Sequence, residues 1–188
     1  MAARIAHTLQ HSGIRAVLTG GACASLYSRG AYQSSDLDFI LQSAITQERL
    51  DQVMASIGFH RDTDHYTHPA TIFFVEFPAG PLGIGRDIRI RPVLHRIGKE
   101  GVWTLSATDS CRDRLAAFYH WKDRQSLNVA VIIARRNDVD LEAIRRWSGR
   151  ESSLDGFDEF LALLGSRRGA RHDRKGRPKP SPAASRRR

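Results

Sequence analysis

The stretch from Val17 to Leu41, VLTGGACASLYSRGAYQSSDLDFIL, constrains the fold more than any other part of the chain. A short apolar run reaches Gly20 and Gly21, a small-residue segment follows, and the stretch closes on Asp36-Leu37-Asp38-Phe39. The alternation around Asp36 and Asp38 is that of a β-strand, in which side chains at i and i+2 share a face. Two carboxylates brought that close repel unless a proton or a cation is shared between them, and a divalent metal is the obvious cation. Gly-Gly at a strand-to-helix turn allows close backbone approach and leaves N–H groups pointing outward, which suits phosphate. Taken alone, such a pair is more often a tight turn with no ligand.

Around that stretch the hydrophobic pattern alternates between strand and helix periods. Ile14–Thr19 reads as a buried strand, Ala22–Arg29 as a short helix and Asp36–Leu41 as a second strand. Ala2–Gln10 and Thr46–Ile57 read as helices, the second capped by Thr46 and stopped by Gly58. Phe59–His68 is polar and reads as an edge strand or loop, while Thr71–Phe77 (TIFFVEF) is the most strand-like segment. Within it Glu76 shares a face with Phe74, and a lone carboxylate there lies at the sheet's end, in water, or in a site. Asp87–Leu94 sets Ile88 and Ile90 against Arg89 and Arg91 and reads as a strand with a basic outer face; Val102–Leu105 adds another.

From Ser106 onward the pattern is helical: Thr108–Lys122, Arg124–Arg136, Asp140–Trp147 and Phe157–Leu164. Ser106 and Asp109 have the spacing of a capping box, Asp140 suits an N-cap, and Gly149 and Gly156 read as punctuation. Phe118, Tyr119 and Trp121 read as core. The expected organisation is an α/β (α+β) domain over residues 1–105, a small helical domain over 106–164 and a tail over 165–188.

Charge separates the tail from the rest. The chain of 188 residues carries a formal net charge of +9. From Gly165 onward there are ten Lys/Arg against one Asp, so the remaining 19 basic and 19 acidic residues cancel. The tail has almost no apolar side chains and is expected to be disordered. It can hold RNA or another polyanion by counterion release, or serve only to keep the chain soluble. The two cysteines, Cys23 and Cys111, are far apart and suit a reducing compartment. The longest apolar run, Val129–Ala134, is far too short to span a membrane, and no secretory pattern opens the chain. The expected location is cytoplasmic. His60, His65 and His68 lack the helical context and the matched further ligand that zinc requires, and read as a polar edge.

Taken together, the apolar strand, Gly20-Gly21, the short helix and Asp36-Leu37-Asp38 resemble the signature of the polymerase-beta-like nucleotidyltransferase superfamily. The fourteen residues between Gly21 and Asp36, with Ser34-Ser35 before the carboxylates, look most like the abortive-infection-type nucleotidyltransferase toxins and related minimal members. The resemblance covers roughly Ile14 to Phe77, and Asp113-Arg114 and His120–Arg124 have counterparts in the helical half of relatives. It implies a nucleotidyltransferase-like mixed sheet flanked by helices, and transfer of a nucleoside monophosphate from an NTP to a protein or RNA acceptor. It also implies Mg²⁺ or Mn²⁺ on Asp36, Asp38 and a third carboxylate from a neighbouring strand, with Glu76 the choice and Asp87 the fallback. Gly20 and Gly21 would meet the triphosphate, with Arg29, Arg114, Lys122 and Arg124 as candidate neutralising cations. Relatives often carry Ser or Thr next to the second glycine, where this chain has Ala22-Cys23. The alternative is a non-catalytic nucleotidyltransferase-like module acting as antitoxin or RNA-binding adaptor.

Overall fold

A computed structural model describes residues 1–169 of the chain. Seven strands form one mixed sheet: β1 (Ala16–Leu18), β2 (Asp36–Leu41), β3 (His60–Asp62), β4 (His65–Thr67), β5 (Phe74–Glu76), β6 (Val93–Ile97) and β7 (Glu100–Thr104). Their order is β3-β4-β5-β2-β1-β7-β6. Three helices belong to the first half, α1 (Ala2–His11), α2 (Gly20–Tyr27) and α3 (Gln47–Ala55). Four follow the sheet: α4 (Ala107–Trp121), α5 (Arg124–Arg136), α6 (Leu141–Arg150) and α7 (Leu154–Gly169).

The centre of the sheet is the segment on which the sequence turns. β1 and β2 pair antiparallel, with Leu18 opposite Phe39, and β2 pairs in parallel with β5. Leu37 and Phe39 turn to the buried side, where Phe39 meets the core that also takes Leu18, Met54 and Val75. One continuous core of buried side chains runs on through Leu115, Leu127 and Trp147 to Phe160.

Local chemistry explains most helix boundaries. The hydroxyls of Thr46 and Ser106 accept from the backbone N–H of Arg49 and Asp109, and the carboxylates of Asp123 and Asp140 accept from Ser126 and Ala143. Each satisfies a first-turn donor that a helix leaves unpaired.

Several expected elements change. Asp87–Leu94 is not a strand: Asp87 closes a tight pairing with Ile84, and regular pairing begins only at Val93, after Pro92. Pro92 has no N–H to give a ladder. Of Thr71–Phe77 only Phe74–Glu76 pairs, and Phe59–His68 becomes the edge hairpin of β3 and β4. Gly149 and Gly156 lie inside helices rather than between them. A Cβ at Gly156 would stand 2.7 Å from the Tyr119 ring, so this glycine admits close packing of α7 on α4. Gly165 likewise falls within α7, and the Arg-rich tail beyond Gly169 lies outside the described residues. Among the described residues no helix is long and apolar enough to cross a membrane.

Candidate active site

Side chains of β2 alternate, so Asp36, Asp38 and Ile40 share the face opposite Leu37 and Phe39. The parallel register places Glu76 of β5 beside Asp38, and Phe74 beside Asp36. Neighbouring strands lie about 4.8 Å apart, so Asp38 and Glu76 are cross-strand neighbours on one face.

The glycine turn closes on the same carboxylate. Thr19 donates its N–H to the Asp38 carbonyl at 2.9 Å, which fixes the end of β1 against β2. Gly20 follows with a φ of +60°, and a Cβ there would lie 2.0 Å from Asp38 Oδ2. Only glycine suits this position, on conformation and on space alike. At Gly21 an added Cβ would meet the hydroxyl of Ser34 at 2.7 Å, so the hydroxyl beside the second glycine is supplied from the approach to β2. Ser34 is in turn tied to the backbone of Asp36, accepting from its N–H at 3.2 Å. Thr19 makes no capping bond to α2, so the first N–H groups of that helix have no side-chain partner.

A cleft of about 480 Å³ opens over this face. One wall is Thr19, Gly20, Asp38 and Ile40; the loop 78–85 forms a second; α4 forms the third with Asp113, Arg114, His120 and Trp121. Arg114 donates to Asp113 Oδ2 from Nε at 3.0 Å and from Nη2 at 2.7 Å. Burial works against the charge on Arg114, but Asp113, with Tyr32 and Asp38 behind it, outweighs burial and raises its pKa. Burial pushes the Asp38 carboxyl up to about 6, and the charges of Glu76, Asp113 and Asp36 add to this against Arg114. The cleft wall thus sets the carboxylates of Asp38 and Asp113 beside one guanidinium, with the charges of Glu76 and Asp36 near enough to act on Asp38. A second hollow of about 230 Å³, lined by Arg15, Gln42, Pro92 and Trp103 among others, has no carboxylate in its wall.

The donor set suits a divalent cation that brings other ligands with it. Among the described residues no three His, Cys, Asp or Glu side chains gather closely enough to cage a metal ion. Mg²⁺ rarely asks for such a cage: it takes one or two carboxylates and completes its shell with phosphate oxygens and water. Adjacent carboxylates whose mutual repulsion favours protonation are suited to that role.

The other sequence candidates lie elsewhere. Arg29 follows the far end of α2 and donates to the Arg136 carbonyl at 3.1 Å, away from the glycines that open the helix. Lys122, the left-handed C-cap of α4, is exposed and outside the cleft wall. Arg124 is paired with Glu159 of α7 and its guanidinium lies over the Phe118 ring at 5.4 Å. Asp87, the fallback carboxylate, accepts from Arg112 Nη2 at 2.6 Å and lies 3.7 Å from Arg150. His65 pairs with Asp64, and His68 packs against Gly58 and Phe59.

Asp113, His120 and Trp121 are the cleft residues that sequence reasoning did not assign to the site. A signal for them exists: 113, 116, 117, 120 and 121 fall at i, i+3, i+4, i+7 and i+8, one face of a helix. That face reads Asp-Ala-Ala-His-Trp, too small and polar to be core. Trp121 is a correction, since Phe118 and Tyr119 are buried but its side chain is exposed.

The fold is similar to that of solved nucleotidyltransferase-like structures. The crystal structure of an antigenic nucleotidyltransferase-like protein from Paracoccidioides brasiliensis matches with a TM-score of 0.61 at 17% identity, over 92% of this chain and 88% of that one. The solution structure of the antibiotic-resistance factor ANT(2'')-Ia is similar more loosely, with a TM-score of 0.47 at 11% identity, over 92% and 93% of the two chains. No protein-family model and no curated protein matches the sequence. The chain therefore has a nucleotidyltransferase-like fold, the one implied by the resemblance of its Gly20–Asp38 stretch.

Proposed function

We propose that the protein is a nucleotidyltransferase that moves a nucleoside monophosphate from an NTP to a protein or RNA acceptor, with Mg²⁺ or Mn²⁺ as cofactor. The setting we infer is toxin–antitoxin, of the abortive-infection type, on the spacing between Gly21 and Asp36. The observation that carries the reading is Asp38, backed by Gly20, beside Glu76 on the next strand and facing Arg114 across the cleft.

Each group has a role that follows from its place. The uncapped first turn of α2 offers N–H groups to the triphosphate, an anion site of the kind helix N-termini make. Arg114 stays charged beside Asp113 and neutralises phosphate that reaches it. Asp38, aided by Asp36 and Glu76, would hold the cation, with phosphate oxygens and water completing its shell, and Glu76 would take the proton of the acceptor. The bound ion would supply charge stabilisation at the attacking and leaving oxygens. In the overall step the acceptor atom bonds to the α-phosphorus, the bond to pyrophosphate breaks, and the acceptor proton passes to a carboxylate.

Incubation with labelled NTPs, Mg²⁺ and candidate protein or RNA acceptors tests the reading. The expected result is label transfer, reduced at least a hundredfold in Asp36→Ala and Asp38→Ala with far-UV circular dichroism unchanged. No NTP binding by the intact protein would sink it, and so would loss of fold in both variants. The lack of a three-ligand cage among the described residues favours one second reading, a non-catalytic nucleotidyltransferase-like antitoxin or RNA-binding adaptor. NTP binding without transfer to any acceptor would support that alternative.

A further inference from the structure

The cleft has an aromatic lip that the chemistry at Asp38 leaves without a role. Trp121 is the last residue of α4, and Lys122 follows with a φ of 57°, so the helix stops at the indole. The side chain is 77% exposed and still forms part of the cleft wall that contains Asp38 and Arg114. Large apolar side chains in water gain nothing for the fold. Its neighbours do not cover it. Arg124, the nearby guanidinium in sequence, lies over Phe118 instead, and the His120 ring meets Trp121 edge-on at 6.2 Å and 69°.

The lip is nevertheless anchored. His120 Nε2 lies 3.7 Å from Glu151 Oε2, and the Glu151 side chain is only 2% exposed. Glu151 accepts from the backbone N–H of Arg86 at 2.9 Å, which ties the end of α4 to the loop on the other side of the cleft. The indole therefore stands at an anchored helix end with an open face. Seven residues of helix separate Arg114 from Trp121, roughly 10 Å at about 1.5 Å per residue, a span that a nucleoside polyphosphate can bridge.

We propose that Trp121 is the stacking platform for the base of the bound NTP, with the phosphates directed toward Gly20 and Arg114. This rests on the proposed function and adds the place of the base and the manner of its selection. Stacking on an indole is tolerant of base identity because every base has a π-face. The site accordingly takes purine and pyrimidine triphosphates with modest preference.

The test is calorimetric titration of the protein with ATP, GTP, CTP and inorganic tripolyphosphate in Mg²⁺, for wild type, Trp121→Ala and Trp121→Phe. Trp121→Ala is expected to weaken every NTP roughly five- to a hundredfold and to leave tripolyphosphate unchanged, while Trp121→Phe keeps most of the affinity. Wild-type binding of NTPs and tripolyphosphate with no change in Trp121→Ala overturns the platform and leaves the proposed function standing. Equal loss of NTP and tripolyphosphate binding in Trp121→Ala also overturns it, since a platform touches only the base. Binding of neither ligand by the wild type overturns both.

Discussion

Asp38 is buried against a glycine with the charges of three other carboxylates near it, and its titration records first the burial and then the charges. An acid whose pKa is raised on folding holds its proton more tightly in the folded state. The stability it contributes is complete below its ordinary value of 3.8 and is lost as the pH rises to about 6. A shift of that size corresponds to about 3 kcal/mol before screening, and to ~1 kcal/mol once the partial exposure of the site is allowed for. Asp38→Asn, which keeps the shape and drops the charge, should therefore raise stability at pH 7.5 by ~1 kcal/mol, roughly 2–4 °C in Tm, and flatten the fall in Tm between pH 4 and 6. A wild-type Tm that does not decline across that window would contradict the assignment. The glycine at this site was legible because Gly-Gly at a strand-to-helix turn marks close backbone approach, with or without a ligand. That it backs the carboxylate itself was not, since the contact joins residues eighteen apart through the sheet register.

At the scale of elements, capping separates the helices by task. Helices α3 to α6 each begin at a side chain that satisfies the first turn, and α2, which opens into the cleft, does not. Asp123 is the strongest of these caps, accepting from the N–H of Gln125 and Ser126 and from the Ser126 hydroxyl at 2.6 Å. Asp123→Ala should destabilise the protein by about 1–2 kcal/mol, read as a lower urea midpoint with an unchanged slope; a change within error would show that packing alone sets the start of α5. The caps at Thr46, Ser106 and Asp140 could be read from the sequence because capping is local chemistry. The inner face of α4 was harder to read, because a helix with apolar residues on both flanks gives no sign of which remaining face meets a cleft. Trp121 was read as core by residue type, although its place at the end of the helix leaves it in water.

At the scale of the whole molecule, the segment between β5 and β6 is fastened to the helical half. Arg112 bridges Asp87 at 2.6 Å and Asp109 at 2.8 Å, and its guanidinium lies 5.1 Å from the Trp147 ring centre. Trp147 Nε1 donates to the Ile84 carbonyl at 3.3 Å from the same side. Burial alone would raise the Asp87 pKa, but the bond and charge of Arg112 hold it below its ordinary value, so this contribution is present near neutrality and lost in acid. Arg112→Ala leaves half-buried Asp87 with only the more distant Arg150 and should destabilise the protein by about 3 kcal/mol at pH 7, measured by urea unfolding. A loss below about 1 kcal/mol, on the scale of an exposed pair, would show that the loop is held by Trp147 and Glu151 instead. The expected strand over Asp87–Leu94 failed although its alternating pattern was real: the Asp87 backbone pairs with Ile84 in a tight turn, and Pro92 has no N–H for a ladder.

By itself the sequence determined the alternation of strand and helix, the caps, and the stretch from Gly20 to Asp38. These rest on interactions within a few residues, where spacing alone says which side chains share a face. The tertiary structure decided which distant residues complete the cleft. Parallel pairing of β2 with β5 brings Glu76 beside Asp38, and the packing of α4 brings Asp113, Arg114 and Trp121 to the same opening. It also directed Arg29, Arg124 and Asp87 to other partners, because a charged side chain goes to the counter-charge or carbonyl that the fold sets within reach.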